Sequence, residues 1–309
     1  MTSEHRPKLV VLAGPTSVGK TALSLPLADR FGAHIINADS MQVYRYLNIG
    51  TAKPSAEEQQ RAVHHLIDIV DPDQPFDAAK YLDLARPLIE DLDRQGIPMV
   101  VVGGTGFYLR SLLKGLFPGP GQDPEIRERL NQERDQTGSP AMHQRLAKVD
   151  PVTAERLHPN DSVRIIRALE VFEMTGRPIS EFQQDHGLAE RPYEVLFYGL
   201  TLDRDELYQR IDQRTRIMFN SGLVDEVKSI LALGYSPDLK PLQAIGYREV
   251  ADHLQGRLTL EQAIYETAKK TRQYAKRQYT WFRHQADLIW VSPSDLDRVQ
   301  TETAAFWEK

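Results

Sequence analysis

Lys20 and Thr21 end the run Gly14-Pro15-Thr16-Ser17-Val18-Gly19-Lys20-Thr21, which fits the spacing G-x-x-x-x-G-K-[ST]. Residues of these types can wrap one anion. Successive backbone N–H groups point at it, a helix N-terminus adds partial positive charge, and Lys20 adds a full one. The Thr21 hydroxyl can ligate Mg²⁺. An ordinary glycine-rich turn is the plainer alternative, but the flanks supply the strand and the helix that the motif requires. A second candidate is Asp39, which closes the apolar run IINAD. In doubly wound sheets, ligands collect at the carboxyl ends of strands, so Asp39 and Thr105 are both expected to face the anion. Asp39 is open to three readings: metal-shell acid, N-cap of the next segment, or base acting on a substrate. A nucleotide hydrolase would end its most apolar strand in an acid, whereas MVVVGGTGFY ends in glycines.

The elements that must hold these residues are readable from periodicity. KLVVLAG (Lys8–Gly14), AHIINAD (Ala33–Asp39), HHLIDIV (His64–Val70) and IPMVVVGG (Ile97–Gly104) are short, apolar and bounded by turn residues, which predicts buried strands. TALSLPLADRF and DAAKYLDLARPLIEDLDRQG between them have helical spacing, the second stopping at Gly96. Strand and helix in alternation imply an α/β fold with a parallel sheet flanked by helices. From FPGPGQDP onward the composition changes. Charged helical segments follow, DPEIRERLNQERDQ, SPAMHQRLAKVD and DSVRIIRALEVFEMTG, until YEVLFYGLTL resumes the strand texture. The expectation is a core of residues 1–118 and 191–309 interrupted by an all-helical insertion at 119–190. A late strand is expected in DLIWVSP.

Bulk properties set limits. With 309 residues, 41% of them hydrophobic, the chain can bury a full core. A net charge of −5 means that any nucleic-acid contact must come from a local patch. The absence of cysteine removes disulfides and thiol chemistry. No apolar run is long enough for a membrane helix, and a cytoplasmic protein is expected. One basic stretch stands out: from Thr267 to Ala286 there is no acid, while Lys269, Arg272 and Lys276 share a helix face by their spacing. Tyr274, Tyr279, Trp281 and Phe282 are interleaved with them. The two readings are a phosphate-backbone track and a solvated helix face whose aromatics pack inward. Arg164 and Arg167 either extend such a track or form a plain surface. His64 and His65 are strand neighbours facing opposite ways and are read as structural. Gly246 in LQAIGYRE suggests close backbone approach, with Gln243 and Arg248 left unassigned.

Five stretches, GPTSVGKT, NADSMQVYRYLNIGTAKP, VVVGGTGFYLRSLL, LQAIGYRE and TRQYAKRQYTWFR, occur in an order that resembles the bacterial tRNA dimethylallyltransferases. The likeness runs from about Leu9 to Arg283. It implies a P-loop fold and transfer of a dimethylallyl group from dimethylallyl diphosphate to the adenine beside the anticodon, with pyrophosphate leaving. On that resemblance the loop Gly14–Thr21 grips an allylic diphosphate, with Thr16 at the leaving oxygen, Lys20 on the terminal phosphate and Thr21 on Mg²⁺. Asp39 matches the general base. Ser40, Met41 and Gln42 continue the tRNA-reading segment, Thr105 touches the target nucleotide, and Arg127 contacts the tRNA from the insertion. Val163, Arg164, Ile165, Ile166 and Arg167 fall on another tRNA-contacting patch, although this stretch departs from its glutamine-containing form. The partner implied is the anticodon stem-loop of tRNA, and nothing in the sequence demands an oligomer, so a monomer is expected. A small-molecule kinase with a helical lid, a prenyltransferase acting on free adenine nucleotides, and a non-catalytic RNA binder stand as rivals.

Overall fold

The structure, a computed structural model, describes residues 5–116, 119–187, 190–285 and 287–308. The chain divides into two compact units, residues 1–113 with 191–309, and residues 114–190. The expected boundary at residue 118 lies outside the described residues.

In the larger unit, β1 (Lys8–Ala13) leads through the glycine-rich loop into α1 (Lys20–Phe31) and β2 (His34–Asn37). Next come α2 (Ala56–Arg61), β3 (His64–His65), α3 (Ala78–Arg94), β4 (Met99–Gly103) and α4 (Gly106–Lys114). All strand pairs are parallel, in the order β3-β2-β4-β1 and then two later strands, β5 (Glu194–Leu200) and β6 (Ile289–Val291). Leu9 to Ala13 are fully buried, as expected for a central strand covered on both faces. Strand order reverses at β1, because the chain passes first to β2 and β3 on one side and later to β5 on the other. The loop after β1 therefore sits where α/β sheets open a crevice for ligand.

The predicted strand His64–Val70 is corrected. Only His64 and His65 pair with β2. Leu66 (φ 61°) and Asp68 (φ 55°) are left-handed, which breaks the extended run. The rest packs on the preceding loop instead: Ile69 N donates to Val43 O at 2.8 Å, and Val70 bridges Tyr44. His65 Nε2 lies 3.0 Å from His34 Nδ1, while His64 Nδ1 meets Ala62 O at 2.8 Å. The two rings thus take separate structural roles.

The smaller unit holds α5 (Pro124–Thr137), α6 (Ser139–Val149), α7 (Pro151–Arg156), α8 (Ser162–Thr175) and α9 (Ile179–His186). Asp123, Asp150 and Asp161 accept hydrogen bonds from the first-turn N–H groups of α5, α7 and α8. Sequence reading ended its second segment at Asp150 and missed α7 and α9. The buried Asp150 carboxylate joins their starts, accepting from Thr153 N and Ser180 N. Leu130, Met142, Leu146, Ile165 and Leu169 form the unit's own apolar core.

After β5 the larger unit resumes with α10 (Arg204–Asn220), α11 (Leu223–Ala232), α12 (Tyr247–Leu254), α13 (Leu260–Arg283) and α14 (Leu296–Glu308). At the start of α12, Gly246 has φ 94°, and a Cβ there would meet only ordinary contacts at 3.7 Å or more. Left-handed backbone, not the expected close approach, is what requires glycine there.

Candidate active site

The anion loop has the backbone that its residue types promise. Gly19 (φ 104°) opens α1, and Ser17 is left-handed at φ 64°. Lys20 Nζ donates to Gly14 O at 3.0 Å and Pro15 O at 2.8 Å, so the ammonium lies along the loop. Thr21 is exposed on the first turn of α1, and its hydroxyl makes no hydrogen bond among the described residues.

Asp39 follows β2 on the same side of the sheet. Its Oδ1 accepts from Met41 N at 2.8 Å. The residues after it form turns rather than a helix, so the N-cap reading fails. Oδ2 accepts no hydrogen bond among the described residues. Lys20, Thr21, Asp39, Gln42 and Gly103 line one recess with Ile35, Ile67 and Val102. Thr105 does not line it. Instead its Oγ1 accepts from Ser40 N at 2.9 Å, fixing the residue beside Asp39. The Gln42 amide donates to Thr51 O and Ala52 O and holds the loop that follows.

Charge is unbalanced at this point. Burial pushes the Lys20 ammonium down to about 8; the Asp39 carboxylate opposes that shift and Arg214 adds to it. Arg214, on α10, is likewise shifted down, first by burial, with Asp39 opposing. Its guanidinium has no hydrogen-bond or ion-pair partner among the described residues. Two desolvated cations therefore share the field of Asp39, with Glu58 acting on Arg214 as the smaller influence, and burial outweighs both carboxylates, an arrangement that favours a further anion. Sequence reading missed Arg214, which lies 193 residues beyond Thr21 in an unremarkable charged helix. The inner face of α13 adds two more residues it did not assign. Burial, then the Asp39 charge, raises the Tyr274 hydroxyl well above the usual tyrosine range. Gln278 is 6% exposed and hydrogen-bonds the anion loop.

The residues expected to read RNA divide into three groups. Ser40, Met41 and Gln42 adjoin Asp39 in the larger unit. Lys276 is exposed on α13, whereas Lys269 pairs with Glu266 at 3.0 Å and Arg272 with Asp212. The acid-free stretch of sequence is thus partly neutralised by acids from outside it. Phe282 is fully buried, the Tyr279 hydroxyl accepts from Leu202 N, and Trp281 lies against Gly106. In the smaller unit, Val163 and Arg164 are exposed, but Ile165 and Ile166 are 0% and 5% exposed. The expectation that these two touch RNA is corrected, because the helix turns them into the core. Arg127 and Arg167 both donate to the fully buried Glu170 carboxylate, at 2.8 and 2.7 Å.

A parallel α/β fold with a glycine-rich loop after β1, and a strand-end carboxylate sharing a recess with a buried cation, has the layout of a P-loop protein that binds an anionic group. Comparison with known proteins narrows this. The "IPP transferase" family model matches residues 42–285, and "Isopentenyl transferase" matches residues 7–71. A tRNA dimethylallyltransferase of Geobacter metallireducens is 49% identical over 99% of this chain and 100% of its own. One from Desulfosudis oleivorans is 51% identical over 95% and 94%. Among solved structures, the full-length tRNA isopentenylpyrophosphate transferase of Bacillus halodurans is 40% identical, with TM-score 0.73 over 98% and 97% of the two chains. A eukaryotic dimethylallyltransferase acting on tRNA superposes with TM-score 0.80 at 30% identity, covering 97% of this chain and 77% of that one. The chain belongs to the IPP transferase family of tRNA dimethylallyltransferases.

Proposed function

We propose that this enzyme takes dimethylallyl diphosphate at the loop Gly14–Thr21 and transfers its five-carbon group to the exocyclic amine of an adenine in the anticodon loop of tRNA, with Asp39 as the base. The observation that carries the reading is the pair of desolvated cations, Lys20 and Arg214, sharing the field of Asp39 beside a row of loop N–H groups. A diphosphate supplies the anion that such a site favours.

The amine nitrogen attacks C1 of the allyl group, and the C1–O bond breaks with its electron pair going to the diphosphate. The amine is a weak nucleophile because its lone pair is delocalised into the ring. A carboxylate accepting its proton as the C–N bond forms therefore lowers the barrier. Asp39 Oδ2 is open for that proton, while Oδ1 is held by Met41 N. Lys20, Arg214 and the loop N–H groups stabilise the charge gathering on the leaving oxygens, and Thr16 stands beside the bond that breaks. The free Thr21 hydroxyl and diphosphate oxygens form a donor set that suits Mg²⁺, which would supply further charge neutralisation. A base in a tRNA loop must be splayed out of its stack to reach such a recess. Thr105, holding Ser40, steadies the acceptor side. We propose that it acts as a monomer. Among the described residues no helix is long and apolar enough to cross a membrane, and we propose action in the cytoplasm.

The test is mass analysis of unmodified tRNA after incubation with the enzyme, dimethylallyl diphosphate and Mg²⁺, without ATP. The expected result is a gain of one isopentenyl unit on the adenosine 3′ to the anticodon, with release of pyrophosphate. Asp39→Asn should slow the transfer about 10²- to 10⁴-fold while leaving tRNA binding intact. A requirement for ATP would overturn the diphosphate assignment, and undiminished transfer by the variant would overturn the base.

A further inference from the structure

Gln278 is a neutral amide buried at the end of the anion loop, 262 residues from the backbone that it holds. Its Oε1 accepts the Thr16 N–H at 2.9 Å, and its Nε2 donates to Gly104 O, also at 2.9 Å. Both ends of the amide are thereby used with the polarity that only Asn or Gln supplies, and only Gln has the reach from this helix. The fit is tight: a Cβ on Gly104 would collide with Nε2. From Gly104 the chain passes directly to Thr105, whose Oγ1 holds Ser40 N beside the base Asp39. A single run of bonds thus joins Thr16 on the donor side to Asp39 on the acceptor side, and Gln278 is the link that α13 supplies. One consequence is already visible. The Thr16 N–H is committed to Gln278, so the anion must be met by the later N–H groups of the loop and by the Thr16 hydroxyl.

We infer that Gln278 is a positioning residue that sets the distance between the diphosphate cradle and the adenine amine. It touches neither substrate. It holds the two backbones whose separation decides whether C1 and the amine meet at reacting distance. An error of about 1 Å in such a separation costs about a hundredfold in rate. The inference rests on the proposed roles of the loop and Asp39.

The experiment is Gln278→Met, which keeps the length and volume and removes both hydrogen bonds, assayed beside wild type with unmodified tRNA and dimethylallyl diphosphate. The expected outcome is kcat lower by about 10- to 100-fold with both KM values within about twofold. Thermal unfolding of the variant, with and without pyrophosphate, controls for folding. A variant that loses kcat only in proportion to lost folded protein, or that keeps kcat within about twofold, overturns the inference. So does a rise in the KM for tRNA with kcat unchanged. As a second variant, Gln278→Glu keeps the acceptor for Thr16 but turns an oxygen on Gly104 O. It is expected to lose kcat as Gln278→Met does, and wild-type kcat in it would show that the Gly104 bond is idle. Failure of wild-type enzyme itself to transfer the group would instead overturn the functional reading.

Discussion

Lys20 carries a pH signature that lies close to the working range of an enzyme. Burial lowers its pKa from the ordinary 10.5 to about 8. The unfolded lysine holds its proton up to the higher value, so between the two the unfolded chain binds more protons. Stability of the ligand-free fold is therefore expected to rise with pH through that window. Affinity for pyrophosphate runs the other way, because the anion needs the charged ammonium. Pyrophosphate should protect the protein from thermal unfolding strongly near pH ~7 and weakly near pH ~9.5, and Lys20→Met should flatten the difference. Arg214 adds a second buried cation beside Lys20. Arg214→Gln is expected to raise the KM for dimethylallyl diphosphate by roughly ten- to a hundredfold, the value of a charge-assisted hydrogen bond, and to leave tRNA affinity unchanged in filter binding. At this scale legibility followed distance along the chain. Gly14 to Thr21 form a contiguous motif, and Asp39 ends a plain apolar run, so both were readable. Arg214 and Gln278 look like any charged or polar residues of a long helix. Only the packing of α10 and α13 onto the sheet gives them a role.

At the scale of elements, the loop after Asp39 is held from afar. The Glu226 carboxylate on α11 accepts from Asn48 N at 3.1 Å, Ile49 N at 2.7 Å and Gly50 N at 3.3 Å, and Tyr247 OH donates to it at 2.6 Å. Glu226→Ala leaves three backbone N–H groups without that acceptor. It is expected to destabilise the fold by about 1.5–3 kcal/mol in urea titration. Amide exchange at residues 48–50 should accelerate by at least about tenfold, since local opening no longer breaks those bonds. The failure of the His64–Val70 strand prediction belongs here too. Its Ile and Val content satisfies strand periodicity, yet Asn37 Nδ2 bonds Leu66 O and Lys53 Nζ pairs with Asp68 at 2.6 Å. Those tertiary bonds hold the run in the turns that its composition conceals.

For the whole molecule, the balance between a net charge of −5 and an RNA substrate must be struck locally. A lysine already paired with a carboxylate exchanges one anion for another on meeting a phosphate and releases few counterions. Lys276→Ala is therefore expected to reduce the slope of log affinity for tRNA against log salt by about one. Lys269→Ala, which removes a partner of Glu266, should change that slope less. Titrations at several salt concentrations distinguish the two. The alternation of parallel strands and helices was legible because it is repeated and periodic. The neutralisation of the basic stretch was not, because Asp212 comes from α10 and Glu266 lies one residue before the stretch on α13.

The glycines that follow β4 bear on how this enzyme can change. A methyl group on Gly103 would strike Ala38 O, one on Gly104 would strike Gln278, and one on Gly106 would strike the Trp281 ring. Backbone after β2 and side chains of α13 converge on that turn with no room to spare. Variation at these three positions is thus closed unless Ala38, Gln278 or Trp281 moves with them, and a side chain at Gly104 would press directly on the amide that holds the anion loop.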